Sequence, residues 1–312
     1  MARIVVTQRL VDGGIDPLIE NGHEVIELDK TEPISPGELV ELAQGAAGIL
    51  CLLTDSITSE VFSGLPDLQV VGTVAVGFDN VDLESARAHG VAVVNTPGVL
   101  DASTADLTMI LMGAALRRTR DSEHALRTGG WRGFSMADHL GRDLTGATLG
   151  LVGYGRIGRA VAERARAFSM EILHHTRHST GTPGWVASLH EMASKVDVLS
   201  IHVPLSQSTW HLIDATVLEA LPPSAVIINT ARGPVLDEKA LARALRDGRL
   251  WGAGLDVYSH EPMVSPELLE APHTVLLPHV GSATVATRRA MCQLAARGVC
   301  DVLEGRQPSN LV

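Results

Sequence analysis

Short apolar runs recur through the first hundred residues, at 4–7, 25–28, 47–53, 70–75 and 91–95. Between them lie stretches with helical spacing, such as 37–44 and 83–89. Alternation of this kind predicts a parallel sheet with right-handed crossovers. A second series starts at residue 148, with strands predicted at 148–152, 171–175, 198–203, 225–229, 252–257 and 275–277. Those runs are apolar throughout, as strands covered on both faces should be. Between the two series, 101–118 reads as one long, mostly apolar and therefore buried helix. Arg117-Arg-Thr-Arg120 closes it with positive charge, which the helix dipole favours. Residues 122–144 keep no period and carry Gly129-Gly-Trp-Arg-Gly133. An irregular stretch of that length reads as a functional or interface arm. An amphipathic helix predicted at 283–304 returns to the first series. The expected fold class is α/β, with parallel sheets in both series.

Composition narrows this picture. A chain of 312 residues favours two domains over one. Aromatic residues are only 3%, so aliphatic side chains must do most of the packing. A formal net charge of −11 argues against a nucleic-acid surface, which needs a basic stripe. It does not forbid an anionic ligand, because one local Arg can override the net field. Cys51, Cys292 and Cys300 show neither a disulfide framework nor zinc spacing. The opening Met-Ala-Arg-Ile-Val-Val begins a strand without a signal-peptide pattern, and no apolar run reaches membrane-spanning length. The expectation is a cytoplasmic protein with no membrane partner.

Gly153-Tyr-Gly-Arg-Ile-Gly158 follows a predicted strand and opens a predicted helix at 159–168. In that context the pattern reads as a dinucleotide cradle. Its glycines serve the tight turn, the backbone approach to a pyrophosphate and close helix–strand packing. The helix N-terminus then turns free N–H groups toward the diphosphate. The usual companion is an acid ending the next strand, bonded to the adenosine ribose. Here that strand runs Glu171-Ile-Leu-His-His and is followed by Thr176 and Arg177. A carboxylate there would repel a 2′-phosphate, whereas Thr-Arg-His-Ser can accept one. NADP(H) is therefore the expected cofactor; Arg177 stacking on adenine, with NAD(H) in use, is the alternative. His174, His175 and His178 suggest a metal, but strand neighbours point to opposite faces and no carboxylate or Cys completes a site, so none is expected.

Three further residues each follow a predicted strand: Arg232 in Asn229-Thr-Ala-Arg-Gly-Pro, Glu261 in Asp256-Val-Tyr-Ser-His-Glu-Pro262, and His279 after Leu276-Leu-Pro278. In open parallel sheets ligands bind at the carboxyl ends of strands. Reduction of a 2-oxo acid needs a cation for the carboxylate, a general acid for the developing alkoxide, and a partner that keeps that acid charged. Arg can bond a carboxylate bidentately, His titrates near neutrality, and Glu261 beside His279 would favour the imidazolium. Singly, each residue has an ordinary explanation as a turn cap, a solvated acid or a core histidine. Together, behind a nucleotide cradle, they point to hydride chemistry on a small oxo or hydroxy acid.

The chain resembles the D-isomer-specific 2-hydroxyacid dehydrogenase family from end to end. The resemblance rests on Val76-Gly77-Phe78-Asp79-Asn80-Val81-Asp82, Asn95-Thr-Pro97, Leu149-Gly-Leu-Val-Gly-Tyr-Gly-Arg-Ile-Gly158, Ile228-Asn-Thr-Ala-Arg-Gly-Pro-Val-Leu-Asp237, Gly254-Leu-Asp-Val-Tyr258 with Glu261-Pro262, and Leu277-Pro-His-Val-Gly-Ser-Ala-Thr284. It implies that Arg232 binds substrate, that Glu261 tunes the histidine and that His279 is the acid/base. Substrate contacts are implied for Leu53, Val76, Gly77 and Ser282 beside Arg232. Cofactor contacts are implied for Val76, Thr104, Gly153, Gly155, Arg156, Ile157, Gly158, Thr176, Arg177, His178, His202, Val203, Pro204, Thr209, Thr230, Ala231, Arg232, Asp256, His279 and Gly281. On this reading the chain forms two flavodoxin/Rossmann-like domains with parallel sheets and the active site in the cleft between them: residues 1–99 and 283–312 form the substrate-binding domain and 100–282 the dinucleotide-binding Rossmann domain. Within the family the chain is most similar to glyoxylate/hydroxypyruvate reductases, through Gly48-Ile-Leu-Cys-Leu-Leu-Thr-Asp55, the stretch from Gly98 to Asp106, Gly129-Gly-Trp131 and the ending Pro308-Ser-Asn-Leu-Val312. The substrate implied is a small 2-oxo or 2-hydroxy acid, and the assembly a homodimer. Rival readings are a phosphoglycerate dehydrogenase-like enzyme and a nucleotide-sensing corepressor. The chain departs from the subgroup in its arm. Some members carry a tryptophan-rich arm that reaches the neighbouring subunit's site; here Phe134, Met136, Asp138 and His139 follow Trp131.

Overall fold

The computed structural model describes all 312 residues. They divide into two compact units, residues 1–100 with 282–312, and residues 101–281. The first unit holds five parallel strands: β1 (Arg3–Val6), β2 (Glu24–Glu27), β3 (Gly48–Cys51), β4 (Val70–Thr73) and β5 (Ala92–Val94). Their spatial order is β2-β1-β3-β4-β5, the flavodoxin-like arrangement, which reverses direction beside β1. The second unit holds six: β6 (Thr148–Val152), β7 (Glu171–His175), β8 (Val198–Ile201), β9 (Val226–Asn229), β10 (Gly252–Leu255) and β11 (Thr274–Leu276). All pair in parallel, in the order β11-β10-β9-β8-β6-β7, so this sheet reverses beside β6. The glycine motif begins immediately after β6.

Alternation of side chains across the strands lets the second sheet bury apolar residues on both of its faces. Leu149, Leu151, Val198, Val226 and Ile228 enter one buried cluster with the helix Asp101–Leu116. Val152, Leu199, Ile201, Ile227, Ala253 and Leu255 enter a separate cluster on the opposite face. In the first unit the helix Val285–Leu303 packs on β3, β4 and β5. No helix is long and apolar enough to cross a membrane.

The region after the apolar helix corrects the sequence reading. The helix ends at Leu116 rather than at 118, Arg118 takes a left-handed φ of 49°, and a second helix runs Thr119–Arg127 where the irregular arm was expected to begin. Tertiary contacts override the local pattern here. The Trp251 indole donates to the Leu116 carbonyl at 3.1 Å, and the Arg118 guanidinium lies 3.8 Å from the Trp251 ring centre. Asp121 then meets His273 at 2.7 Å and fastens the new helix beside β11. Regular structure is absent from 130 to 147.

Candidate active site

The cradle has the form its sequence requires. A Cβ at Gly153 would lie 2.6 Å from the His202 carbonyl oxygen, and one at Gly158 would lie 2.4 Å from that of Gly153. The loop and the β8 exit are therefore too close for any side chain. At Gly155 the opposite holds: an added Cβ would meet nothing within 4 Å. That glycine borders open space at the start of the helix Arg156–Ala167, which has no side-chain cap and no acid in its first turn. Uncapped N–H groups beside open space suit a diphosphate, so the residues present fit a dinucleotide. Arg156 and Ile157 begin this helix, and Arg156 Nε lies 3.4 Å from Asp101. Burial raises the Asp101 pKa against the opposing pull of Arg156.

At the end of β7, Thr176 is half-buried while Arg177 and His178 are exposed. The Thr176 hydroxyl donates to the His178 carbonyl at 2.6 Å and accepts from the Trp185 indole at 3.2 Å. His174 lies within β7 itself. Its ring is buried and stacks on Tyr154 of the glycine motif, centres 4.0 Å apart. No cluster of three or more His, Cys, Asp or Glu side chains could hold an ion. Beyond β8, His202 bonds Ser200 at 2.9 Å, and burial lowers its pKa to about 4. Val203 and Pro204 follow, and Thr209 hydrogen-bonds back to the Pro204 carbonyl at 2.7 Å.

The three chemistry-bearing residues leave the ends of β9, β10 and β11. Asn229 closes β9 and braces the turn behind it, donating to the Arg232 carbonyl at 3.0 Å and accepting from the Ala231 N–H at 3.0 Å. Thr230 is held at 2.9 Å by Thr108 of the apolar helix. Arg232 leaves this turn in extended conformation. Gly233 follows with no room for a side chain, since its Cβ would lie 1.9 Å from the Tyr258 carbonyl carbon. The Arg232 turn is thereby seated on the turn that carries Glu261. One Glu261 oxygen accepts the Tyr258 N–H at 2.9 Å, and the other meets His279 Nδ1 at 2.7 Å.

His279 occupies the left-handed region, φ 53°, where a non-glycine residue needs support from its surroundings. Asp256 supplies it. Its backbone carbonyl accepts the His279 N–H at 2.9 Å, and its carboxylate accepts the N–H groups of Val280 and Gly281, each at 2.7 Å. Ser103 fastens the same loop from the other side through the Gly281 carbonyl, at 3.0 Å. Burial raises the Asp256 pKa, and the Val280 N–H, His279 and the Gly281 N–H offset it only in part. For Glu261 the balance reverses. Burial pushes upward, but the His279 hydrogen bond and charge, the Tyr258 N–H and Arg232 together hold the carboxyl below its ordinary value. Glu261 is therefore an ionised acceptor at neutral pH, and it directs the Nδ1 side of the ring toward itself.

In the first unit, Leu53 lies just past β3 and Val76 and Gly77 just past β4. Asp55 is fully buried and accepts from Thr7 Oγ1 at 2.5 Å and from the Leu52 N–H at 2.9 Å. Asn95 donates to the Val76 carbonyl at 2.8 Å. Ser282 is half-buried ahead of the helix Val285–Leu303. Sequence reading gives no bracing role to Ser103, Thr108, Asp55 or Trp185, although Asp55 and Ser103 lie in stretches that carry the family resemblance. Only packing shows what each one holds.

Comparison with known proteins follows the same lines. The model of the D-isomer specific 2-hydroxyacid dehydrogenase NAD binding domain matches residues 109–281. A glyoxylate reductase of Thermococcus litoralis is 38% identical over 99% of this chain and 96% of its own. A protein of known structure from Thermus thermophilus is 42% identical, covers 99% of both chains and superposes with a TM-score of 0.95. An NADPH-dependent glyoxylate/hydroxypyruvate reductase from Sinorhizobium meliloti, solved with NADP and malonate, is 35% identical; the match covers all of this chain and 96% of that one, with a TM-score of 0.89.

Proposed function

The chain belongs to the D-isomer-specific 2-hydroxyacid dehydrogenase family and is an oxidoreductase, and from that premise we propose that it reduces small 2-oxo acids, glyoxylate and hydroxypyruvate foremost, to D-2-hydroxy acids. The observation that carries this reading is the 2.7 Å contact between His279 Nδ1 and the ionised Glu261, beside Arg232 and on the same unit as the dinucleotide cradle. With Nδ1 turned to Glu261, Nε2 is the ring atom left to deliver a proton to the substrate oxygen. Arg232 holds the substrate carboxylate and polarises the ketone. Leu53, Val76, Gly77 and Ser282 are the first unit's contribution to substrate binding on family resemblance. A bound nicotinamide would supply the hydride. Residues Gly153–Gly158 would hold its diphosphate, Thr104 and Gly281 would meet the cofactor, and Asp256 is assigned to its nicotinamide end.

The test is oxidation of NADPH and NADH with glyoxylate, hydroxypyruvate, pyruvate and phosphohydroxypyruvate in parallel. Turnover is expected with the first two. Phosphohydroxypyruvate as the best substrate would favour a phosphoglycerate dehydrogenase-like enzyme. Cofactor binding without turnover on any of the four would overturn the reading in favour of a nucleotide-sensing corepressor.

NADP(H) is the preferred cofactor in this proposal and NAD(H) the alternative. Support comes from the non-acidic end of β7 and from Arg177, which is exposed there and which we assign to the 2′-phosphate. A charge-assisted hydrogen bond contributes about 1.5–3 kcal/mol. Arg177→Ala should therefore lower kcat/KM for NADPH by roughly 10–100-fold and leave NADH nearly unchanged. Thr176→Asp should reverse the preference, with some loss because a carboxylate cannot donate to the His178 carbonyl. A wild type that works better with NADH would remove the cofactor assignment and spare the family.

A homodimer formed through the second unit is proposed as well. The arm exposes Trp131 at 56%, Phe134 at 87%, Met136 at 82% and Leu140 at 60%. Apolar side chains that open to water suit a covered interface. Sedimentation at micromolar concentration should give a dimer, and Phe134→Asp with Met136→Asp should shift it toward monomer. A wild-type monomer would contradict the assembly.

A further inference from the structure

Trp185 belongs to no motif, yet it sits where the cofactor reading is decided. Residues 184–186 extend the second sheet by one step beyond its edge strand β7. His174 donates its N–H to the Gly184 carbonyl and accepts the Val186 N–H, each at 2.8 Å, and His174 pairs with Trp185 in parallel register. His175 Nδ1 adds a contact to the Val186 carbonyl at 3.0 Å. The register admits only glycine at 184. That residue has φ +86°, and a Cβ there would lie 2.3 Å from the Ile172 carbonyl oxygen. The chain between Thr176 and Gly184 is thus a closed loop tied at both ends to β7. Beneath it, His174 Nε2 meets the hydroxyls of Thr180 at 2.8 Å and Thr182 at 3.2 Å.

The Trp185 indole closes the loop from inside. It donates to Thr176 Oγ1 at 3.2 Å, and that hydroxyl donates in turn to the His178 carbonyl at 2.6 Å. Because an indole nitrogen can only donate, it leaves the hydroxyl proton to point at His178. The relay has one polarity and each link strengthens the next. It spans Arg177, so it fixes the backbone from which the guanidinium projects. We propose that Trp185 is a specificity-determining positioning residue, which holds the Thr176–His178 turn in the conformation that receives the ribose 2′-phosphate. This rests on the NADP(H) reading above. It adds that the selectivity depends on a donor that never touches the cofactor, and that the phosphate is met by Arg177 and the turn rather than by the Thr176 hydroxyl proton, which is already committed.

Binding of 2′,5′-ADP and 5′-AMP to the intact protein, followed by calorimetry, isolates the effect of the phosphate. Trp185→Phe keeps an aromatic ring and removes the N–H. It should weaken 2′,5′-ADP by about three- to tenfold, the range for one neutral hydrogen bond, and leave 5′-AMP unchanged. The ratio of kcat/KM for NADPH over NADH should fall by the same factor. Thr176→Val removes the relay at its centre with little change of volume. It should give a similar loss for 2′,5′-ADP, and combining the two should add little. Equal weakening of both nucleotides by Trp185→Phe would reveal a merely structural tryptophan and overturn the proposal, as would no change in either. Arg177→Ala separates this proposal from its parent. If that variant loses affinity for 2′,5′-ADP while Trp185→Phe does not, the cofactor reading stands and the role of Trp185 falls. If wild type itself does not distinguish the two nucleotides, both fall together.

Discussion

Replacing His279 with alanine is expected to lower turnover by about 10²–10⁴, the range for losing a positioned general acid. The alkoxide that develops as hydride reaches the ketone carbon would have no proton donor. Cofactor affinity should survive, because the Gly153–Gly158 loop is held by β6, β8 and its own helix. The loop that carries His279 should survive too. Its backbone is fixed by the Asp256 carbonyl and carboxylate and by Ser103, none of which bonds the imidazole. Alanine must still adopt the left-handed φ of 53°, so a small stability cost is expected besides the kinetic one. A parallel measurement on Glu261→Gln sharpens the test. That variant keeps an oxygen or nitrogen facing the ring but loses the charge, so it should fall between wild type and His279→Ala. Near-wild-type turnover in His279→Ala would end the proposed role.

Sequence alone makes most strands legible because strands buried on both faces are apolar runs bounded by turns. Each of the eleven predicted segments overlaps a strand, including β2 and β7, which are only partly buried. Predicted ends run long at β3, β4, β8 and β10, where the apolar run continues past the ladder into residues that lead to the candidate site. Val203 and Val257 are of this kind. The helix Thr119–Arg127 is not legible. It has no buried residue, and it is fixed by Asp121 on His273 and Arg120 on Thr274, contacts some 150 positions apart in sequence. In the site, the motif residues can be named in advance because each has chemistry of its own. The bracing residues cannot. Asp256 reads from sequence as a residue near the cofactor, but its carboxylate oxygens both accept backbone N–H groups of the His279 loop. Trp185 is silent in sequence, because a half-buried tryptophan at a sheet edge has no signature until its N–H finds Thr176.

Arg232→Lys is expected to be nearly as damaging as Arg232→Ala, with kcat/KM lowered by about 10²-fold or more, the scale of losing one partner of an enclosed charge pair. Charge is preserved in that substitution, so the expectation isolates geometry. The Arg232 backbone is extended and clasped by Asn229 on one side and by Gly233 against Tyr258 on the other. It cannot shift to bring a shorter-reaching ammonium into place. Nη1 also donates to the Ala231 carbonyl at 2.9 Å, which sets the plane of the fork from its own backbone. A lysine offers one point charge on a flexible stem and cannot make that bond and a paired contact to a carboxylate together. The loss should fall on both KM and kcat, because a carboxylate held at one point leaves the ketone free to turn away from His279. Only Arg232→Ala also takes from Glu261 one of the charges that lower its pKa. The measurement is steady-state reduction of glyoxylate by wild type, Arg232→Lys and Arg232→Ala across pH, with NADPH affinity as the control for folding. Normal KM and kcat in the lysine variant would show that a single positive charge suffices, and that Arg232 is not a two-point clamp.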